Sequence, residues 1–136
     1  MEYLSKDEIP ALLREAELRP TRQRMALAGL LFCGPHRHVT AEELHREAAD
    51  HGHSISLATV YNTLNQFSEV GLLREVVADG SRTFYDTNLS DHHHFYAAKR
   101  GKLIDIPAGD LRIEGMPALP EGMKVAGIDV IVRLEE

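Results

Sequence analysis

Ser56-Leu57-Ala58-Thr59-Val60-Tyr61-Asn62-Thr63-Leu64-Asn65-Gln66-Phe67 is the stretch whose reading decides the fold. Leu57, Val60, Leu64, Phe67 and Val70 recur at helical spacing, so one face of a helix is apolar. Ser56 stands where a helix cap accepts the first free amide, and Gly71 stands where a glycine ends a helix. The opposite face holds Ser56, Ala58, Thr59, Tyr61, Asn62 and Asn65, which are mostly hydrogen-bonding and carry no charge. A solvated helix face is usually rich in Lys and Glu. An uncharged amide and hydroxyl face suits the reading of base edges in a major groove, where Asn bonds adenine at two atoms and small side chains admit thymine methyls.

The flanks agree with this reading. Upstream, residues 5–17 carry Ile9, Leu12, Leu13 and Ala16 on one face, which predicts a first helix. Thr21 caps a second helix lined by Leu27, Leu30 and Leu31 and ended by Gly34-Pro35. Thr40, with Glu43 three residues on, forms a capping box for a third helix through Ala49. Downstream, residues 72–78 and 82–86 flank Asp79-Gly80-Ser81, which predicts a hairpin. Three helices, a reading helix and a hairpin make a winged helix-turn-helix over residues 1–88.

Residues 89–136 read as a smaller unit with strands at 102–106 and 128–134 and room for one short helix near 108–114. So few strands are weak alone, so the strand ending at Leu134 is expected to pair across a two-fold axis. The fold class is α+β: an N-terminal winged helix-turn-helix followed by a small α/β dimerisation unit.

At 136 residues, with 43% apolar and 26% charged side chains, the chain has the composition of a globular protein. No apolar run is long enough to cross a bilayer, and residues 1–7 lack the basic and apolar regions of a secretory signal. A cytoplasmic protein is the default expectation. Cys33 is the one cysteine, so neither an intrachain disulfide nor a CxxC zinc knuckle is available. The net charge of −6 counts mildly against a nucleic-acid partner, but phosphate affinity follows local potential. Arg19, Arg22 and Arg24 form the densest basic patch, with no acid among them.

His92-His93-His94 follows the hairpin. Imidazole ligates transition metals and haem iron. In an extended segment His92 and His94 share one face while His93 points the other way. Two imidazoles are too few for a stable ion site, so further ligands are required. A sensor follows from this placement, in which binding at the histidines controls binding at DNA.

The chain resembles the ferric uptake regulator (Fur) family from about residue 12 to the last strand. The resemblance rests on Leu57-Ala58-Thr59-Val60-Tyr61-Asn62-Thr63-Leu64, on Thr40-Ala41-Glu42-Glu43-Leu44 and on Arg19-Pro20-Thr21-Arg22-Gln23-Arg24. Within the family, Asn62-Thr63, His92-His93-His94-Phe95 and the ending at residues 128–134 look most like the iron response regulator (Irr) subgroup. That resemblance implies a repressor that binds A/T-rich operator DNA as a homodimer and releases it when haem is available. The alternative it leaves open is a divalent-metal (Fe, Mn or Zn) sensor in which the ion promotes DNA binding.

By position, the resemblance places Arg19 and Arg24 near the DNA backbone and Tyr61 against the operator. Asn62 replaces an arginine common in relatives, which implies a different half-site. The resemblance also adds His38 and Asp86 to His92 and His94 as a regulatory metal site joining the two halves. It points to His92, His93 and His94 for haem, and to Asp91, His93 and Glu135 for a second ion site, where Arg112 departs from the family pattern. Ala97-Ala98-Lys99-Arg100 stands where many relatives carry zinc-binding thiolates, so structural zinc of that kind is excluded. Cys33-Gly34 lacks the Cys-Pro haem motif of some Irr proteins. The competing class, a metal-dependent hydrolase or iron store, finds no HExxH, no GxSxG and no phosphate loop. No catalytic residue is assigned, and neither enzymatic activity nor a membrane partner is expected.

Overall fold

The computed structural model describes residues 3–136; Met1 and Glu2, part of the segment read for a secretory signal, lie outside them. The chain divides into two compact units at Leu89/Ser90.

In the first unit a 3-10 turn at Lys6–Glu8 leads into α1 (Ile9–Glu15), followed by α2 (Arg22–Phe32), β1 (His38–Val39), α3 (Ala41–Asp50), α4 (Leu57–Glu69), β2 (Arg74–Asp79) and β3 (Arg82–Asp86). The caps expected from sequence form. Thr21, Thr40 and Ser56 each accept a backbone N–H of the first turn, and Glu43 returns the bond to Thr40 at 3.0 Å. Helix α4 ends in a Schellman arrangement: Leu72 N–H donates to Phe67 O at 2.8 Å and Gly71 N–H to Ser68 O at 3.1 Å, with Gly71 at φ 82°.

The core lies where the helical stripes meet. Leu13, Leu27, Leu31, Leu44, Val60, Leu64 and Phe67 are buried, and the Phe32 and Phe67 rings lie 6.0 Å apart between α2 and α4. Burying each large side chain is worth about 1.5–3 kcal/mol relative to leaving it in water. Val70, counted with the buried side of α4, is instead 40% exposed. It is the C-cap, where the chain leaves helical geometry and the stripe no longer points inward. Thr63 is buried in its place. The three strands form one antiparallel sheet in the order β1-β3-β2. The two-residue β1 carries no periodic signal and was not expected from sequence.

The second unit is one sheet in the order β5-β4-β6, with β4 at His94–Ala97, β5 at Lys102–Asp105 and β6 at Ile131–Leu134. Strand β4 pairs antiparallel with β5 and parallel with β6. The helix expected near 108–114 does not form. Pro107 removes a backbone donor just before it, and Gly109 and Gly115 adopt φ of 89° and 77°, outside helical geometry. The final strand is also shorter than expected, beginning at Ile131 rather than residue 128. Parallel pairing with β4 starts only there, opposite His94.

Candidate functional sites

The polar side of α4 belongs to the first unit. Ser56 Oγ is used as the cap and also donates to Thr59 Oγ1 at 2.9 Å, so these two hydroxyls are engaged locally. Ala58, Tyr61, Asn62 and Asn65 are exposed. The Tyr61 hydroxyl donates to Glu42 Oε2 of α3. That bond draws the Glu42 carboxyl below its ordinary range and pushes the Tyr61 phenol up. Asn65 Oδ1 accepts from the Tyr85 hydroxyl of β3 at 2.9 Å, which ties α4 to the hairpin and leaves the Asn65 amide hydrogens as donors. Tyr85 itself is buried, and burial pushes its phenol up to about 12.

The three arginines separate in role. Arg19 and Arg22 are exposed. Arg24 is half-buried, donating from Nη1 to Arg19 O at 3.0 Å and from Nη2 to Gln66 Oε1 of α4 at 3.2 Å. It therefore pins α2 to α4. His38 and Asp86 stand opposite each other in the β1–β3 register, and Asp86 is buried. The His38 ring meets Phe84 edge-on at 6.0 Å.

The second unit gathers His92, His94 and Asp105. His94 Nε2 lies 3.2 Å from Asp105 Oδ1 and His92 Nε2 lies 3.7 Å from it. The two rings are 4.6 Å apart. One ligand atom from each of the three residues falls within 4.8 Å of the others. Two imidazole nitrogens and a carboxylate oxygen are a donor set suited to divalent iron, manganese or zinc, so the residues present fit such an ion. His92 Nδ1 donates to Ser90 O at 2.7 Å, which fixes the ring and leaves Nε2 as the ligating atom.

Asp105 was missed from sequence. The signal was the strand pair: with the chain reversing through Gly101 (φ 62°), β4 and β5 place Asp105 directly across from His94.

His93 is used differently. Its Nδ1 accepts the Val130 N–H at 3.1 Å, so the remaining proton of a neutral ring sits on Nε2. Glu135 follows Leu134, which pairs with Ala97 at the far end of β4 from His93. The structure thus does not bring together the residues named for a second ion site. Cys33 is half-buried beside the first unit's core. No described helix is long and apolar enough to cross a membrane.

The model of the "Ferric uptake regulator family" matches residues 15–132. The chain is 35% identical over 99 residues to the peroxide-responsive repressor PerR of Staphylococcus epidermidis, a match covering 73% of this chain and 65% of that protein. The chain thus spans a little under two thirds of the length of the curated relatives it matches, about 65%. Among solved structures it is similar to the ferric uptake regulator of Vibrio cholerae (TM-score 0.72, 21% identity, 93% of this chain and 98% of that one). It is also similar to that of Pseudomonas aeruginosa described with manganese (TM-score 0.69, 20% identity, 94% and 97%). At these identities the structural likeness speaks for the fold, and the match over residues 15–132 speaks for descent. On that match, the chain belongs to the ferric uptake regulator family.

Proposed function

We propose that the protein is a metal-responsive transcriptional repressor that reads duplex DNA with α4 as a homodimer, and that a divalent ion promotes this binding. The cluster of His92, His94 and Asp105 is the observation that carries the reading. These residues would hold the ion. Bound there, an ion would supply coordination bonds linking His92, just ahead of β4, to His94 of β4 and Asp105 of β5. Ala58, Tyr61, Asn62 and Asn65 face the base edges. Arg19 and Arg22 contact phosphate, Ser56 and Thr59 set the start of the reading helix, and Arg24 positions it. The names of the similar proteins, a peroxide-responsive repressor and a regulator described with manganese, support this class.

Haem release, the behaviour the Irr resemblance implies, is the second reading. It draws on the His92-His93-His94 run. The buried position of His94 beside Asp105 favours a small ion over a porphyrin, because an axial haem bond would require an imidazole to leave that carboxylate.

One experiment separates the readings. Duplexes enriched from a random pool are assayed by gel shift with manganese(II), with chelator and with haem. Retention with manganese, loss with chelator and at least about tenfold weaker metal dependence in Asp105→Asn are expected. Retention that is equal with manganese and with chelator overturns the ion-promoted reading. Loss only on adding haem establishes the other.

A further inference from the structure

The first unit carries a groove that lies outside the polar face of α4 and the histidine cluster and shares only Arg22 with the proposed DNA-binding residues. Its cavity volume is about 490 Å³, within the range of small-molecule sites. Met25, Gly29 and Leu30 of α2 line its floor together with Ile9 of α1. Lys6, Arg22, His51 and His53 line its edge.

Three observations bear on what occupies it. The floor is apolar and continuous along one side of α2. Gly29 sits inside an 11-residue helix, where glycine costs about 0.5–1 kcal/mol relative to alanine. No atom of the described residues lies within 4 Å of where its Cβ would be. Packing within the fold therefore does not demand a glycine, and its effect is to keep the floor level. The edge is cationic in a chain of net charge −6: among the described residues no carboxylate lines the groove. Lys6 and Arg22 have no ion-pair partner among the described residues.

We propose that this groove binds an amphipathic carboxylate of the medium-chain fatty-acid type. Its alkyl chain lies over Met25, Gly29 and Leu30, and its carboxylate pairs with the cations at the edge. Apolar burial along the chain supplies affinity and the charge-assisted bonds fix direction. His53 lies three residues before Ser56, the cap of α4, so the occupant touches the turn that leads into the reading helix.

The test uses the full chain and dodecanoate, with dodecanol and dodecyltrimethylammonium as the uncharged and cationic counterparts. Titration calorimetry is expected to show saturable binding of dodecanoate, weaker by about tenfold for dodecanol, the loss of roughly one charge-assisted contact. Amide shifts in NMR spectra are expected at Met25 and Gly29. Gly29→Leu fills the groove while raising helix propensity, and should abolish binding with the helical signal in circular dichroism intact. The double change Lys6→Gln with Arg22→Gln should bring dodecanoate down to the level of dodecanol. The proposal is overturned by the absence of saturable dodecanoate binding. It is equally overturned by equal binding of the cationic amphiphile, or by undiminished binding to a folded Gly29→Leu protein.

Discussion

The side chains that hold the first unit are more revealing for what they are bonded to than for their types. Arg37 forms a two-pronged pair with Glu47 at 2.6 and 2.8 Å and also donates to Leu30 O. The Arg37 bond holds the Glu47 carboxyl below its ordinary range. A carboxyl depressed on folding stabilises the protein above its unfolded titration range, and that contribution is lost as the pH falls through the folded value. Arg37→Met should therefore cost about 1 kcal/mol at neutral pH, since both partners are roughly a third exposed and partly screened. It should also flatten the acid limb of stability against pH, as followed by urea denaturation. Tyr85 has the opposite sign. Its phenol is protonated in the fold up to about 12 against an ordinary 10.0. Its contribution is complete below pH 10 and disappears as the pH climbs through about 12. Ultraviolet titration of the four tyrosines should show a late-ionising group that Tyr85→Phe removes.

At the scale of the element, the helices are legible in the sequence because their ends are chemically marked. Thr21, Thr40 and Ser56 open three of them and Gly71 closes the last. Gly71 holds φ 82°, so Gly71→Ala should destabilise the first unit by about 1 kcal/mol, seen as a lower urea midpoint with an unchanged slope. The strands were less legible. Two-residue β1 has no period to detect, and its partner β3 lies far along the chain. Asp105 was overlooked for a related reason: its meeting with His94 is a property of register, and register depends on where the chain turns. The stretch from 107 to 130 shows the limit of spacing arguments, because room for a helix is not a helix when proline and left-handed glycines punctuate it.

For the molecule as a whole, the sheet of the second unit bears on assembly. Phe95, Ile104, Val132 and Leu134, with the buried Ala97 and the exposed Lys102, occupy alternate positions in register on one face of β5-β4-β6, where Ile104 is 44% and Leu134 is 40% exposed. His94, Tyr96 and Leu103 occupy the buried face. This largely apolar face is where the proposed homodimer would bury a second copy of the chain. Leu134→Glu should shift sedimentation at micromolar concentration from dimer to monomer while leaving the helical signal of the first unit in place. A dimer unchanged by this substitution would remove the sheet from the interface.

Asp105 also bears on kinetics. Its side chain is 51% exposed beside a His94 that is 1% exposed, so the proposed ion would meet a sealed imidazole on one side and a wet carboxylate on the other. Swinging one carboxylate is a nanosecond-scale rotation, whereas unfastening β4 from its neighbours means breaking a run of ladder bonds. Exchange with bulk solvent therefore needs no melting of the sheet. If the proposed ion binds there, its loading and unloading should keep pace with the surrounding supply, as a gauge does and a store does not.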